Sequence, residues 1–109
     1  CRRYRPINSK SQWDQYANDF SKSYNEYLEL HNYIDSVAQS FKSFKMDLDT
    51  ISDRESREYK EKQEKIFRVY QDKIHDVEHV KKTERHMYLE MKLNHIHDLI
   101  KQYEESMTS

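Results

Sequence analysis

His75 and His79 stand four residues apart, the spacing at which two imidazoles on one helical face can ligate a metal ion. Asp76 occupies the place where the zinc-hydrolase pattern H-E-x-x-H requires its glutamate, and no third ligand lies nearby in sequence. A solvated polar face is therefore the favoured reading of this pair. His95 and His97 are two apart and cannot share a helical face, so one is expected beside an apolar seam and the other in solvent. His31 falls on an apolar stripe, where a polar residue sets register or partner choice in preference to moving protons. No serine, cysteine or threonine has a base and an orienting group at a recognisable spacing, and the carboxylates alternate with lysines as on a solvated helix exterior. The chain is read as non-catalytic, with no cofactor and no metal.

Composition supports the same exclusion. Among 109 residues there is no glycine and one proline, Pro6. Phosphate-cradling loops, dinucleotide fingerprints and nucleophile elbows all need glycine, because backbone must turn at positive φ or approach a ligand closely. With 36% charged and 35% hydrophobic residues and a mean hydropathy of −1.24, the chain suits helices that bury one narrow seam. A formal net charge of −1 supplies no global field for nucleic acid or anionic lipid. Two local basic clusters stand out: Arg2, Arg3 and Arg5, then Lys81, Lys82, Arg85 and Lys92. Each could meet an acidic partner, although Glu84 and Glu90 interrupt the second as a nucleic-acid patch. The lone Cys1 permits no internal disulfide, which favours a reduced cytoplasmic or nuclear setting. No apolar run approaches the roughly 18 residues of a membrane span, and no signal peptide is expected within these residues. Because it opens on Cys1 and not on methionine, the chain is expected to be an excised piece.

The elements that would position any site are helical. Residues 1–8 read as an extended lead-in, since Pro6 disfavours helix for the residue before it. Ser9 and Gln12 have capping-box spacing and start a helix over about 10–50. Its stripe runs Ala17, Phe20, Tyr24, Tyr27, His31, Ile34, Ala38, Phe41, Lys45 and Leu48 in steps of three and four, a heptad seam. Tyr16, Leu30, Val37 and Phe44 widen it on one side and Leu28 on the other, which predicts more than one neighbour. A second capping box, Ser52 with Glu55, places a turn near residues 49–53 and a second helix over about 53–81. Its stripe is Tyr59, Ile66, Tyr70, Ile74 and Val77. The pattern lapses over Lys81–His86 and resumes in a different phase as Leu89, Leu93, Ile96, Ile100, Tyr103 and Met107, so either one long helix presents two differently facing seams or the chain breaks near Thr83; the break, with a third helix over about 84–107, is the favoured reading. Short connections between long helices make neighbours antiparallel, and the fold class is all-α, three helices in antiparallel coiled-coil pairs. Of nine tyrosines, six fall on or beside the stripes; Tyr33 and Tyr88 do not, and exposed aromatics of that kind mark partner contacts.

Particular residues resemble a known family. Tyr4-Arg-Pro-Ile7-Asn-Ser9, then Tyr16 with Phe20, then Tyr24-Asn-Glu-Tyr27 with Leu30, resemble the start of the occludin/ELL homology domain. Tyr88-Leu89-Glu-Met-Lys92-Leu93-Asn-His95-Ile96 resembles its closing signature, a Tyr-Leu pair followed by Lys-Leu and, one residue on, His-Ile. Leu30-His31 with Val37-Ala38 and Phe41 looks more like the branch of ELL-type RNA polymerase II elongation factors. The proline of Tyr-x-Pro-Ile looks more like the occludin/tricellulin branch, and the region around Lys81 lacks the loop-like residues of ELL proteins. The resemblance implies one domain over 1–109, three helices with the N-terminal segment packed on them, and a binding role. For the ELL branch it implies a nuclear domain docking onto an AFF-family scaffold of the super elongation complex. For the junction branch it implies a domain on the cytoplasmic face of cell junctions, binding the guanylate-kinase-like region of a zonula occludens scaffold through a basic surface. The partner-binding residues expected are Tyr33, Phe44, Lys81, Lys82, Arg85, Tyr88 and Lys92, with Tyr33 and Phe44 as aromatic anchors. No direct nucleic-acid or membrane contact is expected of this segment; self-association through an exposed seam is left open.

Overall fold

A computed structural model describes residues 4–108; Cys1, Arg2 and Arg3, and with them most of the first basic cluster, lie outside the described residues. Three helices account for nearly all of it: α1 (Lys10–Asp49), α2 (Arg57–Ile74) and α3 (Val77–Thr108). No strand occurs among the described residues. At 1.5 Å per residue α1 is about 60 Å long. The chain divides into two compact units, one joining the residues through His31 to those from Glu84 onward, the other spanning Asn32–Thr83.

The helix starts show how a chain without glycine makes its turns. No described residue takes a positive φ, and side chains satisfy the free amides instead. Ser9 Oγ accepts the Gln12 N–H (3.2 Å) while Gln12 Oε1 accepts the Asn8 N–H (2.9 Å), so the expected cap of α1 is in place. The expected Ser52–Glu55 cap is not. Helix α2 begins four residues later, capped by Ser56, whose hydroxyl accepts the Tyr59 N–H (3.1 Å). Asp53 prevents the earlier start, because its carboxylate accepts the Glu55 N–H and its carbonyl accepts the Ser56 N–H in a turn of its own.

The break between the second and third helices is also displaced, from Thr83 to His75–Asp76. His75 ends α2 with its backbone N–H and its Nδ1–H both donated to the Gln71 carbonyl, at 3.2 and 2.7 Å. Asp76 opens α3 by accepting the Glu78 N–H on its carboxylate (3.0 Å). Helix α3 runs straight through Thr83. The apolar pattern lapses there because the half-buried positions upstream of Leu89 are His79, Thr83 and His86. Polar partners accommodate each: Tyr33 for His79, the Val80 carbonyl for Thr83, and the Tyr27 ring for His86.

The burial of α1 follows a line rotated from the expected seam. Tyr16, Phe20, Ser23, Tyr27, Leu30, Ile34, Val37, Phe41, Phe44 and Leu48 are buried or half-buried, in alternating steps of four and three. Tyr24, His31, Ala38 and Lys45 are exposed. The four residues expected to widen the seam on one side therefore belong to the seam itself, and His31 is not a register-setting seam residue.

In the first unit α1 and α3 run antiparallel, from the Trp13 Nε1–H donated to Glu104 (3.4 Å) to the His31–His86 ring pair (5.5 Å). Among the described residues the buried ones are all here: Tyr16 and Ser23 on α1, and Leu89, Leu93, Ile96 and Leu99 on α3. Leu89 and Ile96 are 0% exposed; each contributes about 1.5–3 kcal/mol by leaving water. The lead-in packs on this core through Tyr4 and Ile7. The Tyr16 hydroxyl accepts the Arg5 N–H and donates to the Arg5 carbonyl, both at 2.9 Å, and His95 Nε2–H donates to the Tyr4 carbonyl (3.0 Å). In the second unit α1 and α2 run antiparallel, with Phe41 edge-on to Tyr70 (5.8 Å) and Phe44 near Ile66 and Val69. Helix α2 buries no residue fully. Phe67 is 59% exposed, and Tyr70, Ile74 and Val77 also face solvent. Met107, expected on the last seam, is exposed too.

Candidate docking surface

The seven expected partner-contact residues are distributed over both units. In the unit Asn32–Thr83, Phe44 forms the apolar side of a groove between α1 and α2, about 210 Å³ in volume. Ile66 and Val69 of α2 complete its apolar lining, Lys62 and Lys65 approach from α2, and Asp47 from α1. Phe44 is held there by its edge-to-face contact with Phe41 (5.8 Å). Two lysines against one aspartate give this opening a net positive lining. Lys62 and Lys65 were absent from the expected set. Their signal is positional: both lie within four residues before Ile66, on the turn of α2 that brings this stripe residue inward.

Tyr33 is half-buried, not a free exposed aromatic. Its hydroxyl is joined to His79 Nδ1 by a 2.9 Å hydrogen bond, and Lys82 Nζ lies 4.2 Å from its ring centroid. Lys82 is thus partly committed within the chain, whereas Lys81 is exposed and makes no ion pair among the described residues.

In the other unit Arg85 pairs with Glu26 in a two-point contact, Nε to Oε2 at 2.7 Å and Nη2 to Oε1 at 2.9 Å, with its guanidinium 5.2 Å from the Tyr88 ring. The hydrogen bond from Arg85 holds the Glu26 carboxyl below the usual carboxylate range and raises Arg85 in turn. The side chains are 48% and 43% exposed, so water screens the pair and its contribution stays below about 1 kcal/mol. Tyr88 is 46% exposed. Lys92 is half-buried, with Nζ 5.7 Å from the Tyr4 ring. Arg85 and Lys92 are therefore bound into the fold before any partner arrives.

His75 and His79 do not share a helical face, since His75 ends α2 and His79 lies in the first turn of α3. Among the described residues no three histidine, cysteine or acidic side chains converge on a metal position. His95 is half-buried on the lead-in and His97 is exposed beside Asp98 (3.5 Å), as their spacing predicts. No described helix is long and apolar enough to cross a membrane.

A family model described as the occludin homology domain matches residues 4–105. The chain is 32% identical, over 94% of its length, to RNA polymerase II elongation factor ELL3 of Homo sapiens and to that of Bos taurus, covering 26% of each. It is 28% identical, over 96% of its length, to MARVEL domain-containing protein 2 of Xenopus tropicalis, covering 19% of that protein. The chain thus spans about a quarter or less of the length of these relatives.

Proposed function

Because the chain belongs to the occludin homology domain family, we propose that it is a non-catalytic docking domain of an RNA polymerase II elongation factor and that it joins the factor to an AFF-family scaffold in the nucleus. The observation that carries this reading is the similarity to the two elongation factors at 32% identity over nearly the whole chain. On this reading the two units serve one domain. The apolar side of a partner helix or strap lies on Phe44, Ile66 and Val69, and its acidic side chains meet Lys62 and Lys65. Tyr33, braced by His79 and Lys82, presents its ring edge to the same class of partner.

A second reading is favoured by the similarity to the MARVEL domain-containing protein. In it the domain sits at the cytoplasmic face of cell junctions and binds the guanylate-kinase-like region of a zonula occludens scaffold. In the unit of the two chain ends, Arg85, Tyr88 and Lys92 would then meet acidic side chains of the scaffold; in the other unit Lys81 and Lys82 would do so. Arg85 and Lys92 would have to be shared with Glu26 and Tyr4.

Fluorescence anisotropy with a labelled AFF-type segment and, separately, a zonula occludens guanylate-kinase-like region tests both. The elongation-factor reading expects micromolar or tighter binding of the first, lowered about tenfold or more by Phe44→Ala or by the pair Lys62→Glu and Lys65→Glu. Binding of the junction scaffold alone overturns it in favour of the second reading, and binding of neither at micromolar concentrations removes both.

A further inference from the structure

The unit formed by the two ends of the chain carries a groove of its own, about 280 Å³, between α1 and α3. Leu93, buried, lies in its lining, and Phe20, Tyr24 and Tyr27 contribute three rings from α1. The rings stand in a row: Phe20 and Tyr24 are 6.0 Å apart and 10° from parallel, and Tyr24 and Tyr27 are 6.3 Å apart and 20° from parallel. Tyr24 is 42% exposed although it lies in this apolar setting. From α3 come Glu90 and Asn94, both exposed, and His97, which leans on Asp98. Among the described residues Glu90 makes no ion pair and no hydrogen bond. It is the one carboxylate lining the groove, and no lysine or arginine lines it.

A row of aromatic rings with one unpaired carboxylate is complementary to a cation. The rings attract it through their quadrupoles and the carboxylate through charge. Near-parallel rings suit a flat guanidinium better than a round ammonium, because the guanidinium stacks on aromatic faces and offers a carboxylate two parallel donors. The same unit already builds this arrangement from its own residues, with Arg85 held in two-point contact by Glu26 while lying over Tyr88. The groove has the carboxylate and the rings and lacks the arginine.

We infer that this groove receives an arginine side chain from a partner protein segment, its guanidinium stacked on Tyr24, the exposed ring of the row, and paired with Glu90. Asn94 supplies a further acceptor through its amide oxygen. The site is separate from the Phe44 groove and opposite to it in charge, so it stands or falls independently of the docking reading above.

The test uses the full chain with isotope-labelled aromatic residues and follows ring resonances during titration with alanine-based helical peptides. The peptides carry one central arginine, lysine, citrulline or glutamate. Binding by a single side chain is weak, so titration extends to about 10 mM. The arginine peptide is expected to shift the Phe20, Tyr24 and Tyr27 signals saturably, and citrulline, isosteric but neutral, to bind about fivefold or more weakly. Glu90→Gln, an exposed change that leaves helicity intact, is expected to reduce the arginine response by a similar factor. Equal shifts from citrulline, an unchanged response in Glu90→Gln, or ring signals that do not move with the arginine peptide each overturn the assignment.

Discussion

Replacing Tyr16 by phenylalanine removes one oxygen and asks how the lead-in is held. That oxygen accepts the Arg5 N–H and donates to the Arg5 carbonyl at 2.9 Å each, and lies 3.4 Å from Gln12 Nε2. The ring is retained, so packing against Ile96 and Leu99 is unchanged. Two hydrogen bonds at about 0.5–1.5 kcal/mol net give about 1–3 kcal/mol. Arg5 is exposed, so water can satisfy its backbone once the hydroxyl is gone, which places the loss at about 1–2 kcal/mol. Native-state amide exchange is the direct assay. The Arg5 amide should exchange about tenfold faster, because 1.4 kcal/mol is a factor of ten, while helicity by circular dichroism is unchanged. Ile96→Ala is the contrast: it empties a fully buried position and should cost about 2–5 kcal/mol. Unchanged Arg5 exchange in Tyr16→Phe would refute the hydroxyl as the anchor. A loss equal to that of Ile96→Ala would show that the lead-in is an integral layer of the core and refute its description as a strap tied on by hydrogen bonds.

Glu26 is expected to titrate below the usual carboxylate range by nuclear magnetic resonance, and to return to that range in Arg85→Ala. Its carboxyl is lower in the folded than in the unfolded chain, so the pair's small stabilisation is complete above the ordinary carboxylate pKa. It is lost as pH falls through the lowered folded value. Ser56→Ala should destabilise α2 by about 1 kcal/mol in thermal melts, whereas Ser52→Ala should change stability by less than about 0.5 kcal/mol. Asp76→Ala should weaken exchange protection at the start of α3 by about 1 kcal/mol. Thr83→Ala should leave the carbon chemical shifts of an uninterrupted helix around it.

Residue types and spacing predict an all-helical chain and the start of α1, because Ser9 with Gln12 marks a cap and the apolar stripes have helical period; the packed lead-in was expected from the family resemblance. The rotated seam of α1 was hidden by Ser23, a buried serine that no apolar pattern detects, and by Ala38, which fits the stripe but faces water. The break at His75–Asp76 was hidden because the helix stops on hydrogen bonds from a histidine and an aspartate, without glycine or proline. His79, Thr83 and His86 imitate a loop in the sequence because their inward positions are satisfied by polar and ring partners. Of the expected contact residues, Phe44 lines a groove between α1 and α2. The engagement of Tyr33, Arg85 and Lys92 depends on pairings between residues distant in sequence, which periodicity does not encode.

The buried residues of α1 and α3 belong to stretches far apart in the chain, and the bond from His95 to Tyr4 closes a span of 91 residues. A ribosome working at about 5–20 residues per second releases the stripe of α1 several seconds before Leu89, Leu93 and Ile96 exist to cover it. During synthesis Phe20 and Tyr27 therefore wait without their α3 partners, and the core closes only when nearly the whole chain has emerged. Until then the apolar stripe of α1 has no α3 cover, and burying it early would require some other surface.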